Sequence, residues 1–214
     1  VVLRRVWATA LLVVLVTACG SSGSAGSGHG SVTGQERVDR MVLTDGDLPG
    51  YHLQSTGAET LSDQLPPPRA PRAALVRRLV AANWVASEHS TLVASAKADP
   101  PVFSDANLFK SVAALRRIWV LESAPVPGVQ RHELAPPAGA PDGAFYAYFV
   151  GAGGASYQLS WPEGPAFGIV VVQVSSRGHL SARARARIAT TLGRAASAES
   201  VRIAAAVDSS AATV

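Results

Sequence analysis

Cysteine is almost missing from these 214 residues: Cys19 stands alone, so no disulfide can close within the chain and packing must hold its fold. Lysine is scarce too, since Lys97 and Lys110 are the only two and the other basic groups are arginine. Aromatic residues make up 6% and charged residues 16% of the chain. The pI near 9.7 suggests a polyanion partner, but the formal net charge is only +4. No basic cluster is interleaved with aromatics on which bases could stack, so nucleic-acid binding is excluded as a reading. Arginine in place of lysine, together with abundant Ala, Gly and Pro, is the mark of a GC-rich coding sequence. No apolar run reaches the roughly 20 residues that a membrane-spanning helix needs. A hydrophobic content of 48% nevertheless supplies one sizeable core and excludes wholesale disorder.

What is present begins with Arg4 and Arg5, followed by an apolar run from Val6 to Ala18 that only threonines interrupt. Val16-Thr17-Ala18-Cys19 closes that run, and Gly20-Ser21-Ser22-Gly23-Ser24-Ala25-Gly26-Ser27-Gly28 follows. A charged start, a short apolar stretch and small residues before a cut describe an export signal. The arrangement resembles the bacterial lipoprotein signal, whose lipobox ends in cysteine. That resemblance implies cleavage between Ala18 and Cys19 and a diacylglyceryl group on the Cys19 thiol. It implies a membrane as partner, with the domain on the extracytoplasmic face of the cell membrane. Gly20 after the cysteine is no inner-membrane retention signal in that family, so a host with two membranes would send the protein outward. The alternatives are a retained signal anchor, for which the run is short, and plain secretion, which would not need Cys19. Two acyl chains make attachment durable where one is marginal. Loss of Arg4 and Arg5 would leave a mature net charge of 4 − 2 = +2.

Gly20 to Gly34 reads as a tether whose reach as a Gly/Ser coil is on the order of 20 Å, with His29 an idle residue inside it. The expected domain covers 35–206 and a tail 207–214. Val38, Met41 and Val42 recur at helical spacing, and Pro49-Gly50 marks a type II turn with Tyr51 to Gln54 leaving it extended. Asp45 and Asp47 lack the remainder of a calcium loop and read as turn and capping residues. Pro71 is placed to open a helix with Leu75, Leu79 and Ala82 as its apolar stripe. Trp84 to Lys97 reads as extended. Ser104 is expected to cap a helix with Leu108, Val112, Leu115 and Trp119 buried. Val129 to Leu134 reads as a strand. Ala144–Val150, Ala155–Trp161 and Gly168–Ser175 read as an antiparallel meander. Ser181 opens a closing helix with Leu180, Ala184, Ile188 and Leu192 inward and Arg183, Arg187 and Arg194 outward. The expected fold is a single α+β domain, a largely antiparallel sheet with helices packed on one face. Extended-plus-helix segments around 84–121 and 155–196 give a faint internal echo.

The helix-then-Asp47-Leu48-Pro49-Gly50 turn, Val102-Phe103-Ser104 and the closing strand–helix unit resemble exported actinobacterial lipoproteins and sensor-type extracellular domains. That resemblance implies ligand or cell-wall sensing and transfers no ligand-binding residue. Catalytic motifs are missing: there is no Gly-x-Ser-x-Gly, Ser-x-x-Lys or His-Glu-x-x-His. His52, His89, His132 and His179 are scattered without metal-ligand spacing, and His132 and Glu133, adjacent on a strand, would face opposite ways. No cofactor and no metal are expected. The function expected is a lipid-anchored, non-catalytic extracytoplasmic binding or accessory protein, with a small ligand or an envelope protein as its further partner. The alternative is an envelope hydrolase whose site is assembled from distant residues.

Overall fold

A computed structural model of the chain describes residues 33–61, 73–96, 99–122, 129–151, 154–174 and 180–211. Cys19, Ala18, the Gly/Ser tract with His29, Pro66 to Pro71, Lys97 and His179 therefore lie outside the described residues.

The first element is set by its cap. Thr33 Oγ1 accepts from the Glu36 amide at 3.2 Å and Glu36 Oε2 accepts from the Thr33 amide at 2.7 Å, a reciprocal capping box that starts α1 (Gly34–Asp39). Val38, Met41, Val42 and Leu43 follow into the core. In the turn beyond, Asp47 Oδ2 accepts from the Thr44 amide at 2.7 Å and the Thr44 hydroxyl at 2.9 Å. Asp45 accepts from the Leu53 amide, so both acids hold the turn, as expected. Gly50 lies at φ +83° and the Tyr51 amide returns to the Leu48 carbonyl at 3.1 Å, the bond expected across Pro49-Gly50.

Seven antiparallel strands follow: β1 (Tyr51–Ala58), β2 (Trp84–Ala94), β3 (Val102–Phe109), β4 (Gln130–Leu134), β5 (Phe145–Gly151), β6 (Gly154–Glu163) and β7 (Ala166–Val174). Their order across the sheet is β1-β2-β3-β7-β6-β5-β4. Two meanders, β1–β3 and β4–β7, therefore join through the central β3/β7 pair. Helices α2 (Ala73–Asn83), α3 (Val112–Glu122) and α4 (Ala182–Ala211) complete the single α+β domain.

The expected one-sided helix layer is corrected: helices cover both faces of the sheet. Along β7, Val170, Val172 and Val174 join the core under α1 and α4, whereas Phe167, Ile169 and Val171 join a second core with Val76 and Val80 of α2 and Leu115 and Ile118 of α3. A strand buried on both sides reads as an unbroken apolar run, and Ile169-Val170-Val171-Val172 is one.

Three local expectations change as well. Ser104 does not cap a helix; Val102–Phe109 is β3, and Ser111 caps α3, accepting from the Ala114 amide at 3.2 Å. In α2 the buried positions are Val76 and Val80, while Leu75 is exposed, a shift of one residue round the helix. Helix α4 continues to Ala211 instead of giving way to a tail at 207; residues 212–214 are outside the described set. The internal echo has a structural counterpart in two hairpin–helix units, β2-β3-α3 and β6-β7-α4. A two-fold axis relating antiparallel β3 and β7 would stand normal to the sheet and keep both helices on one face. Helices α3 and α4 lie on opposite faces, so the units are not rotational copies.

Candidate functional site

Both sheet faces are covered, so polar side chains on the central strands are buried whichever way they point. Along β3 the alternation sends Ser104 toward α1/α4 and Asp105 and Asn107 toward α2/α3.

On the α1/α4 face, the Ser104 hydroxyl donates to Glu199 Oε2 of α4 at 2.7 Å and accepts from the Leu43 amide at 3.1 Å. One hydroxyl thus joins the sheet, the closing helix and the segment after α1. Beside it, Glu88 of β2 accepts from Gln35 Nε2 at 3.0 Å, and the same amide group reaches Asp39 Oδ1 at 2.8 Å. Burial and then the neighbouring Asp39 carboxylate push the Glu88 carboxyl up from 4.5 to about 7. Further along this face Tyr148 and Tyr157 lie 4.6 Å apart, with Tyr146 at 6.3 Å from Tyr157. Burial raises the Tyr146 hydroxyl to about 12, so it stays protonated.

On the α2/α3 face, the cross-strand register places Gly57, His89 and Asp105 in one row and Ser87 opposite Asn107 in the next. The His89 ring lies across Gly57, where a Cβ would stand 2.9 Å from the imidazole Cε1. The glycine makes that pose possible. His89 Nδ1 is 3.7 Å from Glu59 Oε1, and the Ser87 hydroxyl donates to Glu59 Oε2 at 3.4 Å. Asn107 Nδ2 donates to Asp105 Oδ1 at 3.2 Å, leaving Asn107 Oδ1 buried without a hydrogen-bond partner. This is the richest set of chemistry-bearing groups among the described residues: a serine and a histidine on β2, a carboxylate and an amide on β3, and the Glu59 carboxylate just past the end of β1.

Its wiring limits what it can do. Nucleophilic catalysis needs the base between serine and acid, so that the imidazole takes the hydroxyl proton. Here the Glu59 carboxylate stands between Ser87 and His89. Ser87 is fully buried, away from any substrate, whereas the His89 side chain is 40% exposed. The cluster can accept hydrogen bonds and hold a proton, and His89 and Glu59 are the members that reach its surface.

Other residues singled out from the sequence are dispersed. His52 is exposed on β1. His132 stacks on Tyr148 at 6.2 Å, while its neighbour Glu133 pairs with Arg131 at 2.8 Å. Trp119 packs edge-on against Phe167 at 4.7 Å, a core contact as expected. No group of three His, Cys, Asp or Glu able to hold a metal ion occurs among the described residues. Glu59, Ser87, Glu88, Asp105, Asn107 and Glu199 escaped sequence reading. The local signal was weak, because Val102 to Phe109 does not alternate polar with apolar residues and both of its faces are buried.

Comparison of the chain with protein families, with curated proteins and with solved structures finds no match.

Proposed function

We propose that this chain is a lipid-anchored extracytoplasmic binding or accessory protein without catalytic activity of its own. The observation that carries the reading is the position of its one cysteine, closing Val16-Thr17-Ala18-Cys19 behind an apolar run and ahead of a Gly/Ser tract. The fold is consistent with such a role. It begins with a self-contained cap at Thr33 and is held by two cores that require no disulfide. No helix among the described residues is long and apolar enough to cross a membrane. In the Ser87–Glu59–His89 cluster it is the carboxylate that accepts from the serine hydroxyl, an arrangement that differs from the serine–histidine–acid relay of a hydrolase. Binding at the His89 and Glu59 surface would favour ligands that donate hydrogen bonds.

Mass spectrometry of the protein from its native envelope tests the reading. The expected first residue is a diacylglyceryl-modified Cys19, with residues 1–18 removed. Cys19→Ser is expected to accumulate as unlipidated, uncleaved precursor. An unmodified mature start, or normal processing of the variant, would overturn the anchor.

A further inference from the structure

From Ser181 to Ala198 the closing helix carries four arginines, Arg183, Arg185, Arg187 and Arg194, and no Asp or Glu; the fifth arginine of α4, Arg202, pairs with Asp47 at 3.3 Å. At helical spacing, Arg183, Arg187, Thr190, Arg194, Ser197 and Val201 share one outer sector. All six are exposed, and Val201 at 69% is the most exposed large hydrophobic residue of the described chain. The inward sector, Ile188, Leu192, Ala195, Ala196, Glu199 and Ile203, is buried against the sheet, so the basic stripe points straight outward. Arg187 lies 3.7 Å from Asp99, and no described acid stands within ion-pair distance of Arg183 or Arg194. Solvated basic helix faces are common, and charge alone does not name a partner.

The place where the chain enters the fold does. Helix α1 packs beside α4 on the same sheet face, and its cap at Thr33 stands 33 − 19 = 14 residues after Cys19. A Gly/Ser-rich segment of that length has a reach of about 20 Å. A tether of that reach would keep a bilayer holding Cys19 close to the α1 cap, on the side of the sheet that α1 and α4 share, while leaving the domain's orientation to its surface charge. The opposite face also displays arginines, Arg78 on α2 and Arg116 and Arg117 on α3, but the sheet separates them from the point of entry.

Resting on the anchoring reading, we propose that the outer sector of α4 lies against the anionic headgroups of the bilayer that holds Cys19. Arg183, Arg187 and Arg194 would contact phosphates and Val201 would reach the interface. The domain then rests on its α1/α4 face and presents the α2/α3 side, with its His89 and Glu59 surface, away from the membrane. Each arginine near an anionic surface strengthens binding severalfold, and high salt screens the effect.

The test uses the full chain, processed in a bacterial envelope and reconstituted, with a fluorophore on Ser197→Cys. Diacylglyceryl on Cys19 leaves the introduced thiol as the one labelled. Quenching by neutral acrylamide should be severalfold weaker in vesicles containing phosphatidylglycerol than in phosphatidylcholine alone. High salt should abolish that protection while the protein still floats with the vesicles. Arg183→Gln with Arg194→Gln should remove the protection about tenfold more effectively than Arg116→Gln with Arg117→Gln. Equal quenching in both lipids by protein that floats would overturn the proposal, as would dependence on the α3 pair instead. Protein that lacks the lipid and does not float with phosphatidylcholine refutes the anchor. The α4 contact is then judged by salt-sensitive flotation with phosphatidylglycerol vesicles, and its absence, or indifference to Arg183 and Arg194, would overturn it.

Discussion

A single hydroxyl at Ser104 serves β3, α4 and the segment after α1, all within a buried site. Ser104→Ala keeps the volume nearly constant but strips the Leu43 amide and Glu199 of that partner. Leaving such groups short costs about 1–3 kcal/mol. The urea midpoint should fall accordingly with an unchanged slope, and an unaltered midpoint would mean that water replaces the hydroxyl. Glu88 gives a second test, this time in pH. Its carboxyl is raised from 4.5 to about 7 by burial and by Asp39, so the folded state holds a proton that the unfolded chain has released across that interval. Stability from this group is complete below 4.5 and is lost as pH climbs through about 7. Thermal unfolding on either side of the window should show the loss, and Glu88→Gln, which mimics the protonated acid, should flatten it.

Among the elements, α4 depends on close approach to the sheet. Its inward residues include Ala195 and Ala196, and Gly193 faces the Ala138 carbonyl so closely that a Cβ would lie 2.3 Å from the oxygen. At the sheet itself Trp161, fully buried on β6, lies over its cross-strand partner Gly168 of β7. A Cβ at Gly168 would meet the indole Cζ2 at 2.3 Å and Ile203 Cδ1 of α4 at 2.9 Å. Gly168→Ala is therefore an overpacking change, expected to cost about 1–3 kcal/mol and to shift the tryptophan fluorescence. A variant as stable as the parent, with unmoved emission, would show that α4 can slide. The element most misread from the sequence was the one around Ser104. Leu108, Val112, Leu115 and Trp119 have helical spacing, but Leu108 belongs to a strand, and helical burial at Leu115 and Ile118 begins only after the Ser111 cap.

At the scale of the molecule, two apolar cores on opposite sides of one antiparallel sheet hold the fold without a covalent link. Reducing agent should leave the thermal midpoint unchanged, and a shift on reduction would point to linkage between chains through Cys19. The edge strands are handled locally. Strand β1 carries a register shift between Leu53 and Ser55, beside the Asp45 contact, and β4 is a five-residue strand with Arg131 and Glu133 paired on it. Both devices disfavour further strand pairing. Among the described residues, both faces are covered by helices and the edges are blunted, so exposed helix sectors stand out, and α4 carries the most arginines of them.

Much of this protein was written into local patterns. Pro49-Gly50 sets its turn through two backbone preferences, the meander of β5 to β7 is separated by Gly and Pro, and the closing helix follows from Ser181 and periodic Ile188 and Leu192. Those features depend on residues within a few positions of one another, as does the lipobox resemblance at Cys19. Tertiary structure alone decided which strands are central, and with that the burial of both faces of β3 and β7. It alone brought Glu199 to Ser104 across 95 positions and laid His89 over Gly57 between Glu59 and Asp105. The reason is that strand neighbours are chosen by long-range pairing. A polar side chain on a strand looks the same in sequence whether it meets water or the underside of a helix.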